Sequence, residues 1–277
     1  MREWEEPSER VGRVLAFTAR RLLAIAGPRF HGHRRAEMKQ VLLHSRHNLR
    51  RIFLRVRGVV VVSTPKSGRT WLRYMLDHLG LHVQYTHAFG RLEVPKDLPP
   101  RLILLHRDPR DTVVSAWYQH CKRRRDYSAD LSSFLRDPVL GIEQRILFNL
   151  FWAEQAFSRG GCVTSYEALY ADSYTELARV ARFVGGCAPD PARIAAAVES
   201  GAFEQMRALE ASGMGAALYG NALRPIDPSD PESYKTREGK VGSWMARFDL
   251  RDAAFADELI RRHQYFGRMA RWTAAAR

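Results

Sequence analysis

The sequence predicts an α/β domain: an open, mostly parallel sheet flanked by helices, with a loop of phosphate-binding type after its first strand. Three observations carry that prediction. Four consecutive valines at 59–62 have no polar alternation, as expected of a parallel strand covered on both faces. A second short run, LILLH at 102–106, has the same character. Each leads through a tight polar loop into a periodic segment, TWLRYMLDHLG from Thr70 and DTVVSAWYQHC from Asp111, and strand, loop, helix is the order of such domains.

The first strand is preceded by a basic stretch, so residues 1–57 are assigned to a helical N-terminal extension and 58–277 to the α/β domain. The extension holds fourteen Lys and Arg against five Asp and Glu, which is nine of the chain's fourteen net positive charges. Leu15, Ala19, Leu22, Leu23 and Ala26 form one apolar stripe of a helix over 10–26, and a second helix is expected over 36–54. Packing on the domain is the first reading of this region. Contact with an anionic membrane surface is the second, and disorder the third. Its best apolar stretch, 14–27, is interrupted by Arg20 and Arg21, which excludes a spanning helix there. Glu3, Glu5, Glu6 and Glu9 argue against a cleaved leader. The expected location is the cytoplasm, with peripheral contact at the inner membrane face.

Beyond the second strand, 138–159 reads as a long helix whose Phe148, Phe151, Trp152 and Phe157 are core. Residues 161–170 read as a strand end running into a helix that continues to Val184, and 189–211 as one or two more helices. From 212 to 243 Gly, Pro, Asp and Ser dominate, so a long surface loop without structure is expected, and such loops are usually functional. One helix over 251–266 closes the chain. Cys121, Cys162 and Cys187 are too widely spaced for a metal knuckle or a CxxC pair, and read as buried small hydrophobes in a reducing compartment.

With 44 Lys and Arg against 30 Asp and Glu, the chain suits an anionic partner: a phosphorylated or sulfated small molecule, a phospholipid surface or a nucleic acid. Four clusters narrow the choice. In TPKSGRT, Ser67 and Gly68 are small enough for backbone N–H groups to converge on an anion, with Lys66 and Thr70 beside them. A nucleoside-triphosphate loop places its lysine after the last glycine; here it precedes the only one. In HRDPRDTVVS, Arg107 leaves a strand end and Ser115 lies one turn into a helix capped by Asp111, so both can grip one oxyanion. The segment YKTREGKVGSW, 234–244, has the composition of a second anion-embracing loop or of plain solvated surface. YTHAFG contributes His87. No HExxH, His–Cys cluster or GxSxG elbow occurs, so neither a metal site nor a serine hydrolase is expected.

Taken in order, these clusters resemble the sulfotransferases that use 3′-phosphoadenosine 5′-phosphosulfate (PAPS). TPKSGRTW looks like the family's 5′-phosphosulfate loop, RDPRDTVVS like its 3′-phosphate motif, and TREGKVGSW like its late glycine-rich signature. SYEALY and FEQM are similar to two further family segments, and the likeness runs from about 56 to about 266. The resemblance implies a sulfotransferase-type sheet and PAPS as cosubstrate, with no metal. Lys66 and His87 would be catalytic. Ser67, Gly68 and Thr70 would hold the 5′-phosphate, with Arg69 adding charge beside it, and Arg107, Ser115, Arg237 and Gly239 would hold the 3′-phosphate, with Glu238 in the same cofactor-binding segment. Trp71, Tyr166 and Phe203 would surround adenine. Arg69, Glu238 and Ser243 depart from the family pattern, Glu238 in a sense that weakens the 3′-phosphate clamp. So do Gly201 and Ala202, which replace the family's hydroxyl residues before Phe203 and with them an adenine hydrogen bond.

The acceptor is read as a hydroxyl on a carbohydrate, a glycolipid or a small alcohol or phenol. Phe89, Trp117 and Tyr118 are candidates to line its pocket or equally to be core, and HCKRRR at 120–125 is a candidate attractor of an anionic glycan or phospholipid. The competing readings are a nucleotide-dependent small-molecule kinase and a non-catalytic basic binder of membrane or nucleic acid. No nucleic-acid-binding motif supports the last.

Overall fold

A computed structural model describes residues 58–87 and 101–274. The helices expected in 1–57 and the acceptor candidate Phe89 lie outside the described residues. Strands β1 (Val59–Val62), β2 (Gln84–Thr86), β3 (Arg101–His106) and β4 (Cys162–Ser165) form one sheet in the order β2-β1-β3-β4, with every pairing parallel. Around it lie α1 (Arg69–His78), α2 (Pro109–Tyr118), α3 (Leu131–Leu135), α4 (Ile142–Phe157), α5 (Tyr166–Ala171) and α6 (Ser173–Gly185). Then come α7 (Pro191–Ser200), α8 (Phe203–Ala211), α9 (Met214–Tyr219), α10 (Leu250–Arg262) and α11 (Tyr265–Ala274).

The four valines alternate between two cores. Val60 and Val62, with Leu102, Leu104 and Val163, pack against α2, α4, α10 and α11. Val59 and Val61, with Ile103, Leu105 and Cys162, pack against α1, α6 and α7. Because both faces are covered, no strand position needs a polar residue, which explains the unbroken run. Burying each valine contributes roughly 1.5–3 kcal/mol relative to exposure.

Several expectations need correction. β2 was not legible, because QYT grades from exposed to buried and contains no apolar run. Phe157 is 47% exposed at the end of α4, unlike the core residues Phe148, Phe151 and Trp152. The expected single closing helix is two, parted where Gln264 turns into the left-handed region (φ 50), with His263 Nε2 2.9 Å from Glu143. The segment after β4 breaks at Asp172, whose carboxylate accepts the Thr175 N–H and caps α6. Residues 212–243 are not structureless: they hold α9 and 3-10 turns at Gly220–Leu223 and Pro231–Ser233, and bury Leu223, Ser233 and Tyr234. Of the cysteines only Cys162 is buried; Cys187 is exposed.

Candidate active site

The chain leaves β1 for β2 on one side, while β3 lies on the other, so the loops after β1 and β3 diverge and open a crevice between them. Register brings the strand ends level. Val62 stands opposite both Thr86 and Leu104, and His106 opposite Ser165. Ser63, His87, Arg107 and Tyr166 therefore leave the sheet along one edge, on strands about 4.8 Å apart.

The loop after β1 is tightly wound. Lys66 (φ 78) and Gly68 (φ 86) both adopt left-handed backbone, and Gly68 stands at the N-terminus of α1. Ser67 is fully buried and its Oγ lies 2.6 Å from Thr64 Oγ1, so its hydroxyl closes the loop on itself. A Cβ on Gly68 would fall 2.6 Å from a ring carbon of Tyr166, so only glycine fits. The Lys66 ammonium emerges on the crevice side and donates to Gln119 Oε1 at 3.1 Å. Burial, and then the charges of Lys235 and Arg123, hold its pKa well below the ordinary lysine value.

His87 follows β2. Its Nδ1 lies 2.7 Å from the Ser63 carbonyl oxygen, an acceptor only, so Nδ1 carries the proton and Nε2 keeps the lone pair. Burial, followed by the charge of Arg69, pushes its pKa down to about 3. The imidazole is thus a neutral base with a fixed tautomer. Arg69 lies close enough to influence both His87 and Lys235.

On the β3 side Asp108, not Asp111, caps α2, accepting the Arg110 N–H at 2.8 Å and pairing with the Arg110 side chain. Asp111 is buried and does something else. It accepts the N–H groups of Gly242 (2.8 Å) and Trp244 (3.1 Å) and the Ser243 hydroxyl (3.1 Å), tying the late glycine-rich segment to α2. Arg107 lies over the Tyr166 ring at 4.1 Å, donates to the Lys240 carbonyl at 2.7 Å, and has a buried Nε with no partner. Arg237 stacks on Tyr118 at 4.0 Å and pairs with Glu238, which also binds Arg247. Phe203 packs against Gly239 (φ 64), where any side chain would clash with its ring. Trp71 sits 5.4 Å from Tyr166 between ring centroids and donates its Nε1–H to the Gly201 carbonyl.

One narrow cleft brings part of this set together, without Arg107, His87, Trp71, Tyr166 or Phe203 in its lining. Lys66, Ser115, Tyr118 and Arg237 line it, with Gln119 and Glu232, which sequence reasoning missed, and with Arg123, Tyr234 and Lys235, which it placed only within the HCKRRR and YKTREGKVGSW runs. Gln119 and Arg123 follow Ser115 at four and eight residues on α2 and its π-helical continuation, Gln119–Arg124, a spacing that could have pointed to them. Lys235 is pushed down to about 8 by burial, then by Arg69 and Arg123. Glu210 on α8 was missed as well. It is wholly buried and accepts the Lys235 N–H (2.8 Å), the Thr236 N–H (2.9 Å) and hydroxyl (2.6 Å), and Arg123 (3.2 Å). The basic run is less available than expected: Lys122 pairs with Asp230 and Glu232, and Arg123 is held inside the fold. Of the two aromatic acceptor candidates described, Tyr118 lines the cleft. Trp117 packs on the core and donates to the Ala129 carbonyl.

Comparison with known proteins bears on the fold and the family. None of the curated proteins searched matches the sequence. Among solved structures, a mouse sulfotransferase, SULT7A1, complexed with PAP, superimposes with a TM-score of 0.55 at 20% identity, covering 74% of this chain and 83% of that one. Retinol dehydratase matches in two complexes. With androsterone and inactive cofactor PAP, the TM-score is 0.55 at 15% identity, covering 79% and 84% of the two chains. With retinol and PAP, it is 0.54 at 17% identity, covering 79% and 85%. The model of the sulfotransferase domain family matches residues 86–272, more than half of the chain, beginning at β2 and leaving the Lys66 loop outside. By that match and that fold, the chain belongs to the sulfotransferase domain family and is a sulfotransferase.

Proposed function

We propose that the chain transfers the sulfuryl group of PAPS to an acceptor hydroxyl and releases adenosine 3′,5′-bisphosphate, with Lys66 and His87 as its catalytic pair. One observation carries the assignment: Lys66 after β1, Ser115 on α2 and Arg237 in the late segment line a single cleft, with His87 leaving β2 at the same sheet edge. The acceptor oxygen forms a bond to sulfur, the bond from sulfur to the 5′-phosphate oxygen breaks, and the acceptor proton passes to His87 Nε2. Lys66 meets the charge that grows on the departing phosphate. Such a preorganised cation in a water-poor site is worth several kcal/mol, on the order of a single oxyanion-hole donor. The N–H groups of Ser67, Gly68, Arg69 and Thr70, at the start of α1, receive the 5′-phosphate. The Ser67 hydroxyl, committed to Thr64, adds little. Arg107, with its unpartnered Nε, Ser115, Arg237 and the Gly239 turn receive the 3′-phosphate, and Glu238 is displaced from Arg237 when it binds. Trp71, Tyr166 and Phe203 form the adenine bay.

The acceptor is a hydroxyl compound of small-molecule, carbohydrate or glycolipid type. In the same reading the protein is cytoplasmic. Among the described residues no helix is long and apolar enough to cross a membrane. Titration calorimetry of the full chain with adenosine 3′,5′-bisphosphate, and separately with ATP and magnesium, tests the donor. Micromolar or tighter binding of the bisphosphate without metal is expected, at roughly −8 kcal/mol or better. Preference for ATP with magnesium would favour a kinase. Weak, salt-sensitive binding indifferent to Lys66→Ala would indicate a non-catalytic polyanion binder.

A further inference from the structure

Gln119 and Arg123 have two sides. Toward Lys66 they line the transfer cleft; away from it they wall a second, larger one of about 350 Å³, completed by Arg124, Arg224, Pro225 and Ile226. That volume falls in the range of small-molecule sites, about 300–1,000 Å³. Three arginines line it and no acidic residue does. The acids nearest in the bonding pattern are already used: Glu210 holds Arg123 and the 235–236 backbone, while Asp126 takes Arg124 Nε and His120. Arg123 is a structural member of this wall. It donates to the carbonyls of Ser233 (2.6 Å) and Arg224 (3.0 Å), and so fixes the backbone from which the exposed Arg224 side chain projects. Pro225 and the 45% exposed Ile226 supply an apolar surface beside these cations.

An apolar wall edged by arginines fits a molecule with a hydrocarbon body and an oxyanion. The same Gln119 that walls this cleft accepts from the Lys66 ammonium, so the two clefts adjoin at one side chain. Resting on the transfer reading, we infer that the acceptor is itself anionic: a compact hydroxyl compound whose carboxylate or phosphate sits on Arg224 and Arg124, with its hydroxyl directed past Gln119 toward Lys66.

Three matched phenols test this: neutral tyrosol, 4-hydroxyphenylacetate and tyrosol phosphate. Each is titrated into the full chain with and without saturating adenosine 3′,5′-bisphosphate, and into Arg224→Ala and Arg124→Ala, both changed at exposed positions. At least one anion should bind about tenfold tighter than tyrosol, the scale of one charge-assisted hydrogen bond. Which one binds tells carboxylate from phosphate recognition. Each variant should bring the favoured anion toward the tyrosol value, leaving tyrosol and nucleotide binding unchanged. Equal binding of all three phenols overturns the inference, as does an anion preference that survives in the Arg124→Ala/Arg224→Ala double variant. If the bisphosphate fails to bind while the variant-sensitive preference persists, the cleft is an anion site and the transfer reading fails instead. The opposite pattern removes only the anionic acceptor.

Discussion

At the scale of single residues, Lys66 and His87 are both held in states they would not adopt in a free peptide. A left-handed backbone costs a lysine roughly 1–2 kcal/mol, and nothing in TPKSG announces it. The functional gain is direction, since the turn aims the ammonium into the crevice toward Gln119. Lys66→Gly should therefore lower turnover about 100-fold or more while leaving urea stability equal or about 1 kcal/mol higher. A variant with full activity would remove Lys66 from the chemistry. For His87, burial moves titration away from neutrality. With its pKa at about 3, the ring stays a neutral base throughout the range where free histidine titrates. His87→Ala should lower turnover about 100-fold or more. The wild-type rate should show no acid limb near pH 6.5, and a pH profile falling with that midpoint would sink the assignment of this buried ring as the base.

At the scale of elements, β1 and β3 and the loops after them were legible because each was announced locally: four valines and LILLH by unbroken apolarity, TPKSG and RDPRD by turn residues beside cations. The late segment was not, since what orders it lies elsewhere in the chain. Glu210, in the run FEQMRALEA, looks like one polar residue of a surface helix. Its burial follows only from meeting the backbone of residues 235–236 and the side chain of Arg123. Asp111 is similar, read as a helix cap and found holding residues 242–244. Neither contact has a periodicity that a sequence window could detect. These two carboxylates suspend the segment carrying Lys235, Arg237 and Gly239 between α8 and α2. Glu210→Ala, which removes the carboxylate partner of Arg123 and leaves the 235–236 N–H groups unbonded, should cost about 3–5 kcal/mol in denaturant unfolding. Limited proteolysis within 224–243 should accelerate, and bisphosphate affinity should fall with it. An unchanged cleavage pattern would show that the segment holds itself.

At the scale of the molecule, the site concentrates like charge. Lys66, Arg69, Arg107, Arg123, Lys235 and Arg237 converge on one end of the sheet, and the carboxylates among them, Asp111, Glu210, Glu232 and Glu238, are fewer. The free protein pays for this in stability, and the donor's phosphates relieve it. Lys235 makes the effect measurable. Its folded pKa, about 8, lies below that of an unfolded lysine, near 10.4, so between those values the unfolded chain binds more protons than the folded one. Unfolding free energy therefore gains a rising contribution from pH 8 to about 10.4 that Lys235→Met should abolish. Bisphosphate affinity should move the opposite way, falling over the same interval as the site loses positive charge. Bound phosphate raises the lysine pKa values, so the alkaline limb of kcat should lie above that of kcat/KM for the donor. Urea unfolding and nucleotide titration of wild type and Lys235→Met at pH 7.5 and 9.5 give both slopes. If stability and affinity changed in the same direction, the excess charge would not be the link between empty-site strain and donor capture.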